Sequence, residues 1–146
     1  MNLIEVKEVT IEEVLKVHAQ IPELNEMEPQ REVFEQRYID KTHVILVAYE
    51  NEIPIGYLIA YDPEDSSFYC WLAGVIEKHR KKGALTKMMI YLEDWMRKNG
   101  YKKITIKTRN TKREMLKYLV KHDFDFTKVE TMRDRKENRI YLEKEI

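Results

Sequence analysis

Two hydrophobic periods alternate along this chain, and the switches between them mark out short elements. Residues 3–9 read as a first strand. Thr10-Ile11-Glu12-Glu13 has the spacing of a capping box, with Thr10 as N-cap and Glu13 reaching back to it. Ile11, Val14, Leu15, His18 and Ile21 then fall on one helical face, and Pro22 closes the segment. A second amphipathic helix is predicted over residues 30–39. Residues 44–49 and 53–61 are nearly continuous apolar runs at hairpin spacing around Glu50-Asn51-Glu52, as expected of strands covered on both faces. Residues 62–66 are turn-like, and residues 68–75 form a fourth strand dense in aromatics.

The clearest helical stripe is Leu85, Met88, Met89, Leu92, Trp95 and Met96, ended by Asn99-Gly100. Residues 101–108 alternate Ile104 and Ile106 with Lys103, Thr105 and Lys107, a half-buried strand. Met115, Leu116, Leu119 and Val120 mark another helix. A closing hairpin follows from residues 124–130 and 140–142 around a charged turn at 134–138. The predicted order is β-α-α-β-β-β-α-β-α-β-β, a mixed α/β domain over residues 1–146 with helices able to cover both faces of a sheet.

Composition narrows the classes. The 146 residues fit one domain with a real core. Lys and Arg together number 26, as do Asp and Glu, so no general affinity for nucleic acid or anionic membrane is expected. Cys70 is the only cysteine, which excludes an internal disulfide and suits a reducing cytoplasm, the expected location. No apolar stretch is long enough to cross a bilayer, and the first ten residues lack the apolar core of a signal peptide. His18, His43, His79 and His122 show no metal-ligand spacing, so no metal is expected.

Chemistry concentrates between Trp71 and Thr86. A buried strand ends near Val75, and the basic run Lys78-His79-Arg80-Lys81-Lys82 leads through Gly83 into the longest helix. Unpaired N–H groups and a partial positive charge at a helix N-terminus suit a phosphate, and glycine permits close approach. The same residues also fit a plain strand-to-helix connection with a solvated basic loop. It is not a Walker loop, because the glycine five positions ahead of a Gly-Lys-Thr/Ser group is missing.

The run resembles the acetyl-CoA motif of the GNAT superfamily of acyl-CoA N-acyltransferases. Ala73-Gly74-Val75 stands for the family's strand-ending triplet, and Arg80-Lys81-Lys82-Gly83-Ala84 for the start of its Arg/Gln-x-x-Gly-x-Gly/Ala loop, with Leu85 in place of the last small residue. The element order matches over nearly the whole chain, and residues 117–124 resemble the family's helix end before a Phe-headed strand. The resemblance implies a GNAT-like fold with a central mixed, mostly antiparallel sheet flanked by helices on both faces. It also implies acetyl-CoA as co-substrate, its pantetheine on Ala73, Gly74 and Val75. The pyrophosphate would lie on Arg80, Lys81, Lys82, Gly83, Ala84, Leu85 and Thr86, and Asn110, two residues early relative to the family asparagine, would be a further cofactor contact.

Catalytic groups are less fully specified. Relatives place a glutamate on the strand before the triplet, yet residues 69–72 contain no acid. Anchored on Phe124, the family's tyrosine acid falls at Leu119, with Tyr118 one residue earlier and Asp123 at the usual glycine; Tyr118 is the candidate acid. Tyr69 and Trp71 either line an acceptor cleft or simply pack. The expected reaction is direct transfer of acetyl to a primary amine, the alternative a non-catalytic acyl-CoA-binding module. Glu23, Glu26, Glu28 and Glu32 lie between the first two helices, which border the acceptor cleft in relatives, and favour a cationic amine. The oligomeric state is left open, a homodimer included.

Overall fold

A computed structural model describes residues 3–24 and 31–146. The chain runs β1 (Ile4–Glu8), α1 (Ile11–His18), α2 (Arg31–Tyr38), β2 (His43–Glu50), β3 (Ile53–Tyr61), β4 (Phe68–Val75), α3 (Ala84–Lys98), β5 (Lys103–Arg109), α4 (Arg113–Lys121), β6 (Asp125–Glu130) and β7 (Arg139–Glu145). Short 3₁₀ turns at Pro22–Leu24, Glu77–His79 and Arg135–Glu137 complete it. This is the order that the two periods predict.

The seven strands form one sheet in the order β1-β2-β3-β4-β5-β7-β6. Every neighbouring pair is antiparallel except β4 with β5, which is parallel and therefore needs the α3 crossover between them. Residues alternate between two cores. Val44, Leu46 and Ala48 face Met88, Leu92 and Met96 of α3 and Leu116 and Leu119 of α4. Ile45 and Val47 face Val14 and Val17 of α1 and Phe34 of α2. Two-sided burial is why β2 and β3 read as unbroken apolar runs. Burying one such side chain contributes about 1.5–3 kcal/mol, and Met88, Leu92 and Met96 are all fully buried.

The helix pairs do not cover the two faces equally. On the α3/α4 face, Ile104 and Ile106 of β5 and Ile140 and Leu142 of β7 join the core. On the α1/α2 face no residue of β5, β6 or β7 belongs to the buried cluster. The sheet beyond β4 is thus open there, and a cleft forms.

Local devices set the ends of elements. The β2–β3 hairpin closes through Asn51 (φ 50°) and Glu52 (φ 70°), the two left-handed positions of a type I′ turn. The expected capping box does not form. Thr10 is the N-cap of α1 but makes no side-chain capping bond. Glu13 is drawn off to Lys16 (2.7 Å) and to the Tyr49 hydroxyl on β2 (2.7 Å), so the stronger partners win. Helix α3 ends on Gly100 (φ 82°), with Tyr101 N–H donating to the Met96 carbonyl at 2.9 Å. Helix α4 ends the same way on Asp123 (φ 69°), with Phe124 N–H donating to the Leu119 carbonyl at 3.0 Å. Both are Schellman closures, but an aspartate occupies the second where glycine is favoured.

Candidate active site

The parallel strands β4 and β5 pair only at Phe68↔Ile104, Tyr69↔Thr105 and Cys70↔Ile106. Beyond that they separate. The cause lies on the other edge of β4, where its register with β3 jumps from Ala60↔Cys70 to Ile59↔Leu72, leaving Trp71 as a bulge. A bulge bends its strand and breaks off pairing. Residues 72–75 consequently pair with β3 alone, and their β5-facing edge is open. Ala73, Gly74 and Val75 are therefore placed to accept an extended ligand as an added strand.

Close packing behind this edge explains its small residues. A Cβ on Gly74 would stand 2.9 Å from Leu24 Cδ1 and 3.1 Å from Ile21 Cδ1, so the segment that follows α1 presses directly on the strand backbone. A Cβ on Gly56 of β3 would stand 2.9 Å from the Gly74 carbonyl oxygen.

The loop after β4 is built as a cradle. Arg80 Nε donates to the Val75 carbonyl (2.9 Å), tying the loop to the strand end. Lys81 (φ 65°) and Gly83 (φ 89°) take left-handed conformations that turn the chain into α3. The first intrahelical bond runs from Lys87 N–H to the Gly83 carbonyl at 3.0 Å, leaving the N–H groups of Ala84, Leu85 and Thr86 ahead of it. Leu85, which departs from the family's small residue, packs its side chain against the α3-face core.

Sequence reasoning missed a brace under this loop. Glu50, placed at the end of β2 by the tight hairpin, is only 6% exposed. Its Oε1 accepts from Lys82 Nζ (3.1 Å) and meets His79 Nδ1 (3.1 Å). Its Oε2 is buried without a hydrogen-bond partner among the described residues. The bond from Lys82 holds the carboxyl below its ordinary range against the opposing effect of burial, with His79 assisting. The only sequence signal was an acid ending an otherwise apolar strand.

The open face beside the fork is a cleft of about 480 Å³ between β4, β5 and the β6–β7 connection. Tyr69, Trp71, Leu72 and Ala73 line it from β4. The two aromatics line this cleft and also pack, Trp71 on Phe34 (centroids 5.8 Å apart) and Tyr69 on Tyr61 (5.5 Å). Cys70 belongs to the opposite core, and burial pushes its thiol up to about 12. Glu137 is the one carboxylate among the described lining residues, and Arg109 holds it at 3.0 Å.

Tyr118 lies on the α3/α4 side, half-buried and stacked on His122 at 4.0 Å, while Leu119 is fully buried. Burial raises its phenol above the ordinary range, a hydrogen bond with Thr86 opposes this, and Glu93 and Cys70 add to the rise. Its neighbours thus come from the first turn of α3 and from the fork strand. Asn110 is engaged elsewhere: its side-chain amide donates to the Arg135 carbonyl (2.8 Å) and its N–H to the Asn138 carbonyl (3.3 Å), pinning the β6–β7 turn. It does not line the cleft. Of the four acids expected near the acceptor, Glu26, Glu28 and the Glu23 side chain lie outside the described residues, and Glu32 is exposed on α2.

The sequence profile described as the Acetyltransferase (GNAT) family matches residues 11–124. The chain belongs to that family. The match spans the forked strand, the loop and α4, whereas Glu137 and Arg139 of the cleft lie beyond it. Similar solved structures are GNAT acetyltransferases. The ribosomal-protein-S18-alanine N-acetyltransferase from Escherichia coli has a TM-score of 0.82 at 10% identity, covering 99% of this chain and 94% of that one. The PaiA N-acetyltransferase from Thermoplasma acidophilum, in complex with coenzyme A, has a TM-score of 0.75 at 16% identity, covering 99% of each chain. A GNAT family acetyltransferase from Elizabethkingia anophelis with acetyl-CoA bound has a TM-score of 0.73 at 20% identity, covering 98% of each. No curated protein matches the sequence. At these identities the likeness is one of fold: a seven-stranded mixed α/β GNAT architecture.

Proposed function

We propose that this GNAT chain transfers acetyl from acetyl-CoA to a primary amine by direct attack. The carrying observation is the fork: β4 loses its partner β5 after Cys70↔Ile106 and leads into a loop whose helix-terminal amides, at Ala84, Leu85 and Thr86, precede the first intrahelical bond. The open edge at residues 73–75 suits the two amides of a pantetheine arm, and residues 80–86 suit a pyrophosphate. Acetyl-CoA-bound and CoA-bound neighbours support the same ligand.

In this reading the amine nitrogen attacks the thioester carbonyl carbon, the C–S bond breaks, and the thiolate takes a proton. A free strand amide at the fork would stabilise the developing oxyanion. Tyr118, whose phenol burial raises above its ordinary range, is the candidate donor to the sulfur. No free carboxylate lines the cleft among the described residues, so the attacking amine loses its proton to water and the rate should rise with pH through the amine's own pKa. A covalent route through Cys70 is disfavoured, because its thiol stays protonated at neutral pH.

Purified protein with acetyl-CoA and an amine panel should release CoA and acetyl-amine in equal amounts. Cys70→Ala should retain the rate. CoA binding without transfer to any amine would support the binding-module alternative. A stoichiometric acetyl adduct on Cys70, discharged by amine at a competent rate, would overturn direct attack.

A further inference from the structure

The chain has no net charge, yet its charges are not evenly spread. Among the described residues, Arg37, Lys107, Arg109, Lys112 and Arg139 line the cleft with Glu137 as the only carboxylate. Arg109 bonds Glu137 at 3.0 Å, and Arg139 lies 3.7 Å from Glu130. Arg37 and Lys107 have no ion pair among the described residues. Aromatic rings hold them instead. The Arg37 guanidinium lies 4.9 Å from the Trp71 ring centre, and the Lys107 ammonium 5.4 Å from that of Tyr141.

These two groups come from different elements, α2 and β5, and converge on the face that the helices leave open. Lys107 is pushed below the ordinary lysine range by burial and by Arg139 and Arg37, with Glu130 opposing. Like charges that lower one another are unfavourable unless an anion joins them. The loop residues expected to hold the CoA phosphates do not line this cleft. The pantetheine arm is uncharged, so the cofactor offers nothing here for the cations to neutralise.

Resting on the acetyltransferase reading, we infer that the acceptor is a small amine carrying a carboxylate or phosphate group, which Arg37 and Lys107 bind while its amino group faces the fork beside Trp71. A cleft of about 480 Å³ that must also admit the end of the cofactor leaves room for a small molecule rather than a folded partner. A polyamine would bring like charge into the same space. It is the opposite of the cationic acceptor that the glutamates around the first two helices favour.

The test compares acceptors matched except for charge, at equal free-amine concentration: β-alanine against β-alaninamide, phosphoethanolamine against ethanolamine, and putrescine as the cation. The anionic member of each pair should have at least a tenfold higher kcat/KM, and the gap should narrow as salt is raised. The two anionic members separate a carboxylate site from a phosphate site. Lys107→Gln and Arg37→Gln should each reduce the anionic member's kcat/KM at least tenfold more than the neutral member's, with Lys107→Arg restoring the preference. The calorimetric Kd for CoA should move less than twofold. Equal or better turnover of neutral or cationic amines overturns the inference, as does a variant that depresses both members equally. If no amine is acetylated, calorimetry of phosphoethanolamine and β-alanine with the CoA-loaded protein decides. Binding lost in Lys107→Gln sustains the anion site while the transferase reading falls. No binding in the wild type removes both.

Discussion

Gly83 and Gly100 make a matched pair for testing the phosphate loop. Both are left-handed (φ 89° and 82°), and a Cβ at either would meet nothing within 4 Å. Alanine therefore adds no clash at either site, only the conformational cost of holding an L-residue in that region, about 1–2 kcal/mol. A stiffer unfolded chain offsets about 0.4–1 kcal/mol of it. Each variant should thus lose about 1 kcal/mol, a fall in Tm of about 4 °C for a chain of this length. Their effects on CoA should differ. Gly83 is the N-cap of α3, and rotating it to relieve strain turns the amides of Ala84, Leu85 and Thr86 away from their common focus. Gly100 closes the far end of the same helix. Gly83→Ala should raise the calorimetric Kd for CoA at least about tenfold, or 1.4 kcal/mol, while Gly100→Ala leaves it within twofold. Thermal melts with CoA at a hundred times the wild-type Kd, worth about 2.7 kcal/mol to the wild type, should show the same split. Equal CoA affinity in the two variants, at equal loss of Tm, would refute the placement of the pyrophosphate.

Glu50→Gln should weaken CoA binding at pH 7 by loosening Lys82 and His79, read by the same calorimetry. The Glu50 carboxyl is held below its ordinary value, so its contribution is present at neutral pH and is lost as pH falls below about 4.3; wild type and variant should converge in Tm there. Asp123→Gly should raise stability by about 0.5–1 kcal/mol by placing glycine in the left-handed position that closes α4, a gain visible in urea melts as a higher midpoint at unchanged slope. Tyr118→Phe should lower kcat with little change in the KM for acetyl-CoA; an unchanged kcat would remove it as the acid.

The sequence by itself determined the elements and the loop. Its periods placed β3 and β4 at the bounds observed, and the continuous apolar runs of β2 and β3 reported a sheet covered on both sides, because burial on two faces leaves no polar positions. Gly83 and the basic run marked the loop because a left-handed turn into a helix needs glycine, which is a local requirement. Where local signals competed with distant partners, the tertiary structure decided. Glu13 had capping-box spacing, but Tyr49, 36 residues away, takes its carboxylate. The fork follows from a one-residue slip between β3 and β4 at Trp71, and no composition or period records a slip of register. The cation-lined cleft is the plainest case. Lys107 reads as the polar side of a half-buried strand, and Arg37 as the exposed side of a short helix. They become a pair only because α1 and α2 cover the sheet as far as β4 and leave the face of β5 open. Charges separated by 70 positions interact through space, and sequence spacing carries no information about that distance until the chain has folded.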